Sequence, residues 1–172
     1  AKVLGKAGIR IGGKDIDRWI ANHLLPDEKP TNLILRIAEE LKCDLSKADI
    51  KETLVISKKI IINQDKEKFL RLSKKGLEEL LIKKGLLESI KIIFTQTINS
   101  AKRNSFELKD LDSVVLVGGG SQIPLIKNYL STLFNSIPFL TPPPIESIAL
   151  GALNLTPGVK VKDVLNKGAS LR

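Results

Sequence analysis

Apolar residues recur every three or four positions along much of the chain, which is the spacing of amphipathic helices. The pattern predicts helices over residues 15–25, 32–43, 74–84, 86–102, 124–134 and 145–155. Thr31 and Ser73 precede two of these segments, at positions suited to capping a helix N-terminus. Gly85 falls inside a continuous helical pattern, where it costs about 1 kcal/mol relative to alanine.

Runs of aliphatic and β-branched residues predict the strands. They cover residues 53–57, 59–62, 70–72 and 114–117, and the segment 1–11 is expected to end as a strand. Residues 63–68 are expected to form a turn. Because helices and strands alternate along the chain, the fold class is α/β or α+β.

A glycine-rich segment occupies residues 114–124 and has the sequence Val-Val-Leu-Val-Gly-Gly-Gly-Ser-Gln-Ile-Pro. The apolar run predicts a buried strand, the glycines end it, and Ser121 stands where it could cap the next helix. Backbone without Cβ atoms that leads into a helix N-terminus suits an anion, since a phosphate or ribose can approach the main chain. A tight turn without a ligand is the competing interpretation.

The chain is basic, with a net charge of +9, and basic proteins often bind nucleic acid. Its lysines are scattered along the predicted helices, and aromatic residues make up only 4% of the chain, so a solvated surface is favoured over a nucleic-acid interface. No apolar run approaches the ~20 residues that span a bilayer, so no membrane partner is expected. The single cysteine, Cys43, fits a cytoplasmic protein without disulfides. The absence of methionine suggests an excised or processed chain.

Two further segments accompany the glycine-rich one. Residues 9–18 are Ile-Arg-Ile-Gly-Gly-Lys-Asp-Ile-Asp-Arg, and residues 144–152 are Pro-Ile-Glu-Ser-Ile-Ala-Leu-Gly-Ala. In their order and spacing, the three segments resemble the nucleotide-binding domain of the seventy-kilodalton heat-shock chaperones of the DnaK type, from about Gly5 to about Leu165. The resemblance implies an α/β fold, namely an actin-like ATPase (ribonuclease H-like) half-domain that is the second lobe of the ATPase, with an inserted α+β subdomain.

The resemblance also implies a domain division and a function. Residues 1–12 and 90–157 would form the ATPase-core subdomain, residues 13–89 the inserted subdomain on the exchange-factor side, and residues 158–172 the start of an interdomain linker. The chain would supply adenosine and phosphate contacts to the nucleotide cleft of a stress-response chaperone. The implied cofactor is ATP or ADP, with Mg²⁺ only in the presence of a first lobe. The implied partners are a nucleotide-exchange factor or J-domain cochaperone, and the first lobe and peptide-binding domain of the parent protein.

Three polar residues, Glu39, Lys42 and Ser46, are spaced three and then four apart, which places them on one stripe of a helix. From the sequence alone, a solvated polar face is the favoured interpretation. The resemblance implies instead that Glu39 and Lys42 hold the ribose and the ring edges of adenosine, and that Ser46 reaches the adenine.

The glycines complete the implied nucleotide-binding set. Gly118, Gly119 and Gly120 would pass beneath the ribose and the α- and β-phosphates, and Gly13 of the first segment belongs to the same set. Gln122 stands where the family usually places an arginine flat against the adenine, and glutamine lacks that planar cation.

No residue is assigned as catalytic and none as a metal ligand. Asp15 and Asp17 are interpreted as first-turn acids that match the helix dipole. The motifs of the family's first lobe and its second phosphate loop are absent from this sequence, so hydrolysis by this chain alone is not expected. The alternatives are a non-enzymatic interaction module that kept the fold without the nucleotide, a filament-forming or sugar-kinase relative within the actin-like superfamily, and, remotely, a nucleic-acid-binding protein.

Overall fold

The structure is a computed structural model that describes residues 2–62, 66–135, 137–142, 147 and 151. Within these residues the helices are α1 (Gly13–Leu24), α2 (Asn32–Leu45), α3 (Lys74–Lys83), α4 (Leu86–Lys102) and α5 (Pro124–Leu133). The strands are β1 (Val55–Ile62), β2 (Lys66–Ser73), β3 (Val114–Val115) and β4 (Phe139–Leu140), and short 3₁₀ helices span Leu108–Asp110 and Gly119–Gln122. The predicted helix over 145–155 lies outside the described residues except at positions 147 and 151.

The chain divides into two compact units. The first comprises residues 1–9, 88–118 and those from 134 onward, and the second comprises residues 10–87 and 119–133. In the second unit, α1, α2 and α3 pack with the β1–β2 hairpin around an aliphatic core. Its largest fully buried side chains are Ile20, Leu41, Leu45, Leu70 and Leu81.

Two helices of the second unit, α2 and α3, begin where the predicted caps place them. The Thr31 hydroxyl accepts the Ile34 backbone N–H at 3.3 Å, and the Ser73 hydroxyl accepts the Gly76 N–H at 3.0 Å, so both N-cap predictions are confirmed. Trp19 is half-buried on α1. The buried stripe of α2 starts at Ile34, and Leu33, one residue earlier, is exposed.

Gly85 does not lie inside a helix, contrary to the prediction. Its φ of +74° is the left-handed conformation that commonly ends a helix, and it separates the end of α3 from the start of α4. A side chain at this position would be strained, since only glycine adopts that conformation without cost. The periodicity continues across the break because both helices bury apolar faces.

The hairpin is more regular than the sequence predicts. The two short strands expected before residue 63 are one strand, β1, which pairs antiparallel with β2. Lys58, which separates the two predicted strands, does not interrupt β1, because it is half-buried and its ammonium group pairs with the Asp44 carboxylate of α2. Residues 66–68, expected in a turn, already belong to β2, and residues 63–65 lie outside the described part of the chain.

In the first unit, the N-terminal segment packs on α4 and is not a strand over residues 3–9. The Asn104 side chain donates a hydrogen bond to the Leu4 carbonyl at 2.9 Å. Gly5 lies so close to α4 that a Cβ atom there would meet the Thr97 carbonyl oxygen and lie 3.1 Å from the Ala101 nitrogen. The prediction that segment 1–11 ends as a strand is therefore wrong, since residues 9–11 are not in strand conformation.

The strand that leads into the glycines is short and only partly buried. β3 pairs parallel with β4, with Val114 opposite Phe139, and only Val114 and Val115 are in strand conformation. Leu116 is buried, but Val115 and Val117 are 53% and 54% exposed, so the prediction of a buried strand over 114–117 is wrong for these two residues. Short pairing leaves one face of the segment without a covering layer in the described residues.

An ion-pair cluster joins α2 to β1, and it should make the stability of the fold depend on pH. The Asp44 carboxylate contacts the Lys47 and Lys58 ammonium groups, both at 2.8 Å, and these hydrogen bonds lower the pKa of Asp44 below 3.8. A carboxyl group with a lowered pKa in the folded state stabilises the fold above its unfolded pKa and loses that contribution as the pH falls through the folded value. We expect Asp44→Asn to reduce stability at neutral pH and to equal the parent in strong acid.

The measurement for Asp44→Asn is urea unfolding at a series of pH values. Asp27→Asn, at an exposed position of the α1–α2 loop, is the control with the same charge change. A deficit of Asp44→Asn that is independent of pH would contradict the assignment.

Candidate functional site

The centre of the candidate site is the ammonium group of Lys42, which joins α2 to the first turn of α1. Its Nζ lies 2.7 Å from Asp17 Oδ1 and 3.4 Å from the Gly13 carbonyl oxygen. The pair is largely shielded from water, since the side chains of Lys42 and Asp17 are only 12% and 7% exposed. Lys42 is therefore held in one place by two acceptors on the neighbouring helix.

Local sequence explains why α1 presents both acceptors together. The Asp15 carboxylate accepts the Gly12 N–H at 2.8 Å and so fixes the start of the helix. Gly13 and Asp17 are four residues apart and lie on the same side of α1. An ideal Cβ atom at Gly13 would lie 3.4 Å from Lys42 Nζ, so the missing side chain leaves room beside the ammonium group.

The surroundings of Asp17 disfavour the charged form of its carboxyl group. Burial raises the pKa of Asp17 above 3.8, the hydrogen bond and positive charge of Lys42 oppose that rise, and the negative charge of Glu39 adds to it. Among the described residues, Asp17 is the one buried charged residue. A buried carboxylate is tolerated only with a partner, and Lys42 is that partner.

Glu39 lies one turn before Lys42 on α2 and is exposed. It lines a groove of about 340 Å³ together with residues from both helices: Lys14, Asp17 and Arg18 on α1, and Asn32, Leu35 and Arg36 on α2. Three cationic side chains, two carboxylates and an amide make this lining suited to a polar ligand with oxygen atoms. The stripe predicted from the spacing of Glu39, Lys42 and Ser46 is thus partly a groove wall and partly a helix–helix contact.

Ser46 closes the C-terminal end of α2. Its hydroxyl donates to the Lys42 carbonyl oxygen at 2.7 Å, and its backbone N–H reaches the same carbonyl at 3.1 Å. The hydroxyl oxygen can still accept a hydrogen bond, because a serine oxygen has two lone pairs.

The glycine turn is open on its outer side. Gly118 adopts φ +87°, and residues 119–122 form a 3₁₀ helix. At each of Gly118, Gly119 and Gly120, a Cβ atom would find no heavy atom of the described residues within 4 Å, apart from the adjoining residues of the chain. The main chain can therefore be approached closely here, as the sequence predicts.

α5 begins at Pro124, as predicted, but Ser121 does not occupy its N-cap position. Ser121 lies inside the 3₁₀ helix, and α5 begins at Pro124, so Ile123 and not Ser121 directly precedes the helix. Proline at the first helical position is favourable because its fixed φ matches the helix and it lacks an N–H that would need a partner. Gln122 ends the 3₁₀ helix with an exposed side chain.

Direct contacts bring together Gly13, Lys42 and Ser46, whereas Gly119, Gly120 and Gln122 form a separate turn. The residue that sequence reasoning missed is Asp17, which was interpreted as an ordinary first-turn acid. A signal was present, because Asp17 lies between Ile16 and Ile20 on the apolar side of α1, where an unpaired charge is costly.

The part of the chain that the structure describes contains neither a membrane-spanning helix nor a cluster of metal ligands. No helix within 2–62, 66–135 and 137–142 has the length and hydrophobicity required to cross a membrane. In the same part of the chain, no three His, Cys, Asp or Glu side chains are grouped as metal ligands would be.

The chain is similar in sequence to known heat-shock proteins and chaperones. The chain is 30% identical over 178 residues to the stromal 70 kDa heat shock-related protein, chloroplastic, of Pisum sativum, an alignment of 95% of this chain and 24% of that protein. It is 28% identical to the chaperone protein DnaK of Prochlorococcus marinus, over 95% of this chain and 27% of that protein. It is 26% identical to the chaperone protein HscA of Buchnera aphidicola, over 88% of this chain and 24% of that protein.

The sequence model of the Hsp70 protein family matches residues 6–165. The chain therefore belongs to the Hsp70 family, as a divergent member, and the resemblance noted from its three segments is confirmed. The family implies the actin-like ATPase fold, with which the mixture of helices and sheets agrees. The chain spans about a quarter of the length of the relatives it matches.

Proposed function

We propose that this chain is part of the second lobe of an Hsp70-type nucleotide-binding domain and contributes adenosine and phosphate contacts for ATP or ADP. The main support for this proposal is the glycine turn just ahead of α5. At three successive residues of this turn there is no side chain, and even a Cβ atom would meet no described neighbour, so a ligand can approach the main chain. Glu39, Lys42, Ser46 and Gly13 form the second part of the proposed set. The division into residues 1–12 with 90–157, 13–89 and 158–172 is part of the proposal.

Hydrolysis is not proposed for this chain alone. Phosphoryl transfer requires groups placed around the γ-phosphate and its metal ion, and these would come from a first lobe. In the whole protein, closure of the cleft on ATP would be relayed to a peptide-binding domain, and an exchange factor would dock on the inserted subdomain. Nucleotide, a first lobe and a cochaperone are thus the proposed partners.

The test uses alanine at two of the open glycines. Gly119→Ala and Gly120→Ala should leave stability unchanged, because neither residue has a positive φ and neither Cβ would meet another atom. If a ribose or phosphate lies against this main chain, the added methyl groups should weaken ADP binding about tenfold, which corresponds to about 1.4 kcal/mol. Backbone NMR during ADP titration measures both the affinity and the residues that respond.

Gly8→Ala is the matched control, since a Cβ there also meets nothing within 4 Å and Gly8 lies outside the proposed site. Saturable shifts at Glu39, Lys42, Ser46 and the glycine turn would support the proposal. ADP affinity that is equal in all three variants and the parent would contradict it.

One observation favours the second candidate, a protein-interaction module that kept the fold without the nucleotide. Lys42 and Ser46 already have partners within the chain, namely Asp17 and the Lys42 carbonyl. A module of this kind would use these residues only to hold α1 and α2. The same titration discriminates the two candidates, because the module would show no saturable shift at millimolar ADP.

A further inference from the structure

The buried carboxylate of Asp17 has no role in the nucleotide-binding set derived from the sequence. It nevertheless makes the shorter of the two contacts to Lys42 Nζ, 2.7 Å against 3.4 Å for the Gly13 carbonyl. An ammonium group on a flexible four-carbon stem adopts one position only if acceptors hold it there. The Asp17 carboxylate binds the ammonium group more strongly than the Gly13 carbonyl does, because the carboxylate is charged and shielded from water.

The geometry of the contacts also limits where a ligand can meet Lys42. An ammonium group has three N–H donors, and Asp17 and Gly13 accept two of them. One donor is left for a ligand oxygen. Gly13 has no side chain beside Nζ, and Glu39, one turn away on α2, lines the groove that Asp17 also lines.

We infer that Asp17 is a positioning residue of the nucleotide site, which holds the Lys42 ammonium beside Gly13 so that its remaining N–H can donate to a ribose or phosphate oxygen. This inference rests on the proposed function. Asp17 itself does not contact the nucleotide, and its effect on nucleotide binding depends entirely on Lys42. Lys42 is thereby ordered before the nucleotide arrives, which lowers the entropy cost of binding.

The experiment is a double-mutant cycle on the full chain, with ADP and adenosine as probes. Asp17→Asn keeps the shape of the side chain but removes its charge, and we expect it to weaken ADP binding about tenfold. In the Lys42→Met background, Asp17→Asn should cause no further loss, because the ammonium group that the carboxylate holds is already gone. Asp27→Asn, at an exposed residue with the same charge change, should bind like the parent. Loss with ADP but not with adenosine would identify a phosphate oxygen as the acceptor, and equal loss a ribose oxygen.

Several results would overturn the inference, and they can be told apart. If the parent binds ADP and Asp17→Asn binds equally well, the positioning role is wrong while the proposed function stands. If Asp17→Asn weakens binding equally with and without Lys42, Asp17 acts by another route. If the parent itself binds no ADP, both the inference and the proposed function fail.

A second measurement needs no variant and so does not depend on mutant folding. The hydrogens of the Lys42 ammonium group should exchange slowly with water in the free chain, because the Lys42 and Asp17 side chains are largely shielded from water, and its ¹⁵N signal should shift when ADP binds. ADP binding that leaves this signal unchanged would overturn the inference.

Discussion

Lys42→Met should lower the free energy of unfolding by about 3 kcal/mol, because it leaves the Asp17 carboxylate buried without its partner. The methionine fills much of the same volume, so the loss measures the missing charge and hydrogen bonds and not a cavity. Urea unfolding at neutral pH, followed by circular dichroism, gives the value.

The deficit of Lys42→Met should shrink as the pH falls. Burial already raises the pKa of Asp17, and removal of Lys42 raises it further. A carboxyl group with a raised pKa binds its proton more tightly in the folded state, so the variant gains stability as the pH falls from neutral towards the unfolded value of 3.8. Lys29→Met, at an exposed position of the α1–α2 loop, is the control and should change stability little. Equal losses of unfolding free energy in the two variants would contradict a particular contribution of the Lys42–Asp17 pair to stability.

Gly5→Ala should destabilise the first unit by about 2 kcal/mol, because the added Cβ would collide with the Thr97 carbonyl oxygen and crowd Ala101 on α4. Backbone atoms of a helix cannot move aside as a flexible side chain can. The N-terminal segment must then lift from α4, which would also weaken the 2.9 Å hydrogen bond from Asn104 to the Leu4 carbonyl.

Hydrogen exchange of the α4 amides measures the effect of Gly5→Ala on the first unit directly. Gly8→Ala is the matched control three residues further along, where a Cβ meets nothing within 4 Å. If both variants exchange like the parent, the close packing of the segment on α4 is refuted.

Local signals predicted the helices well. A 3.6-residue period and a hydroxyl side chain at the N-cap act within one or two turns, so Thr31 and Ser73 marked their helices correctly. The helix break at Gly85 is not predictable from periodicity, because the spacing of apolar residues carries no information about a positive φ.

Features that depend on distant residues were not predictable in the same way. The 25-residue separation between Asp17 and Lys42 has no local signature, and the spacing of Lys42 from Glu39 and Ser46 predicts only a shared stripe. The predicted hairpin breaks at Lys58, because the partner of this lysine, Asp44, lies on α2 and leaves no local signature in the strand. For the glycine turn, composition predicted the open main chain, while the tertiary setting determined how short and exposed β3 is.

The half-buried position of Trp19 has a practical consequence. It is the single tryptophan of the chain and it lies on α1, two residues from Asp17, in the second unit. Its fluorescence emission therefore reports directly on the surroundings of α1. In a thermal scan, Lys42→Met should displace the fluorescence transition, because the broken ion pair lies within one turn of this single intrinsic chromophore.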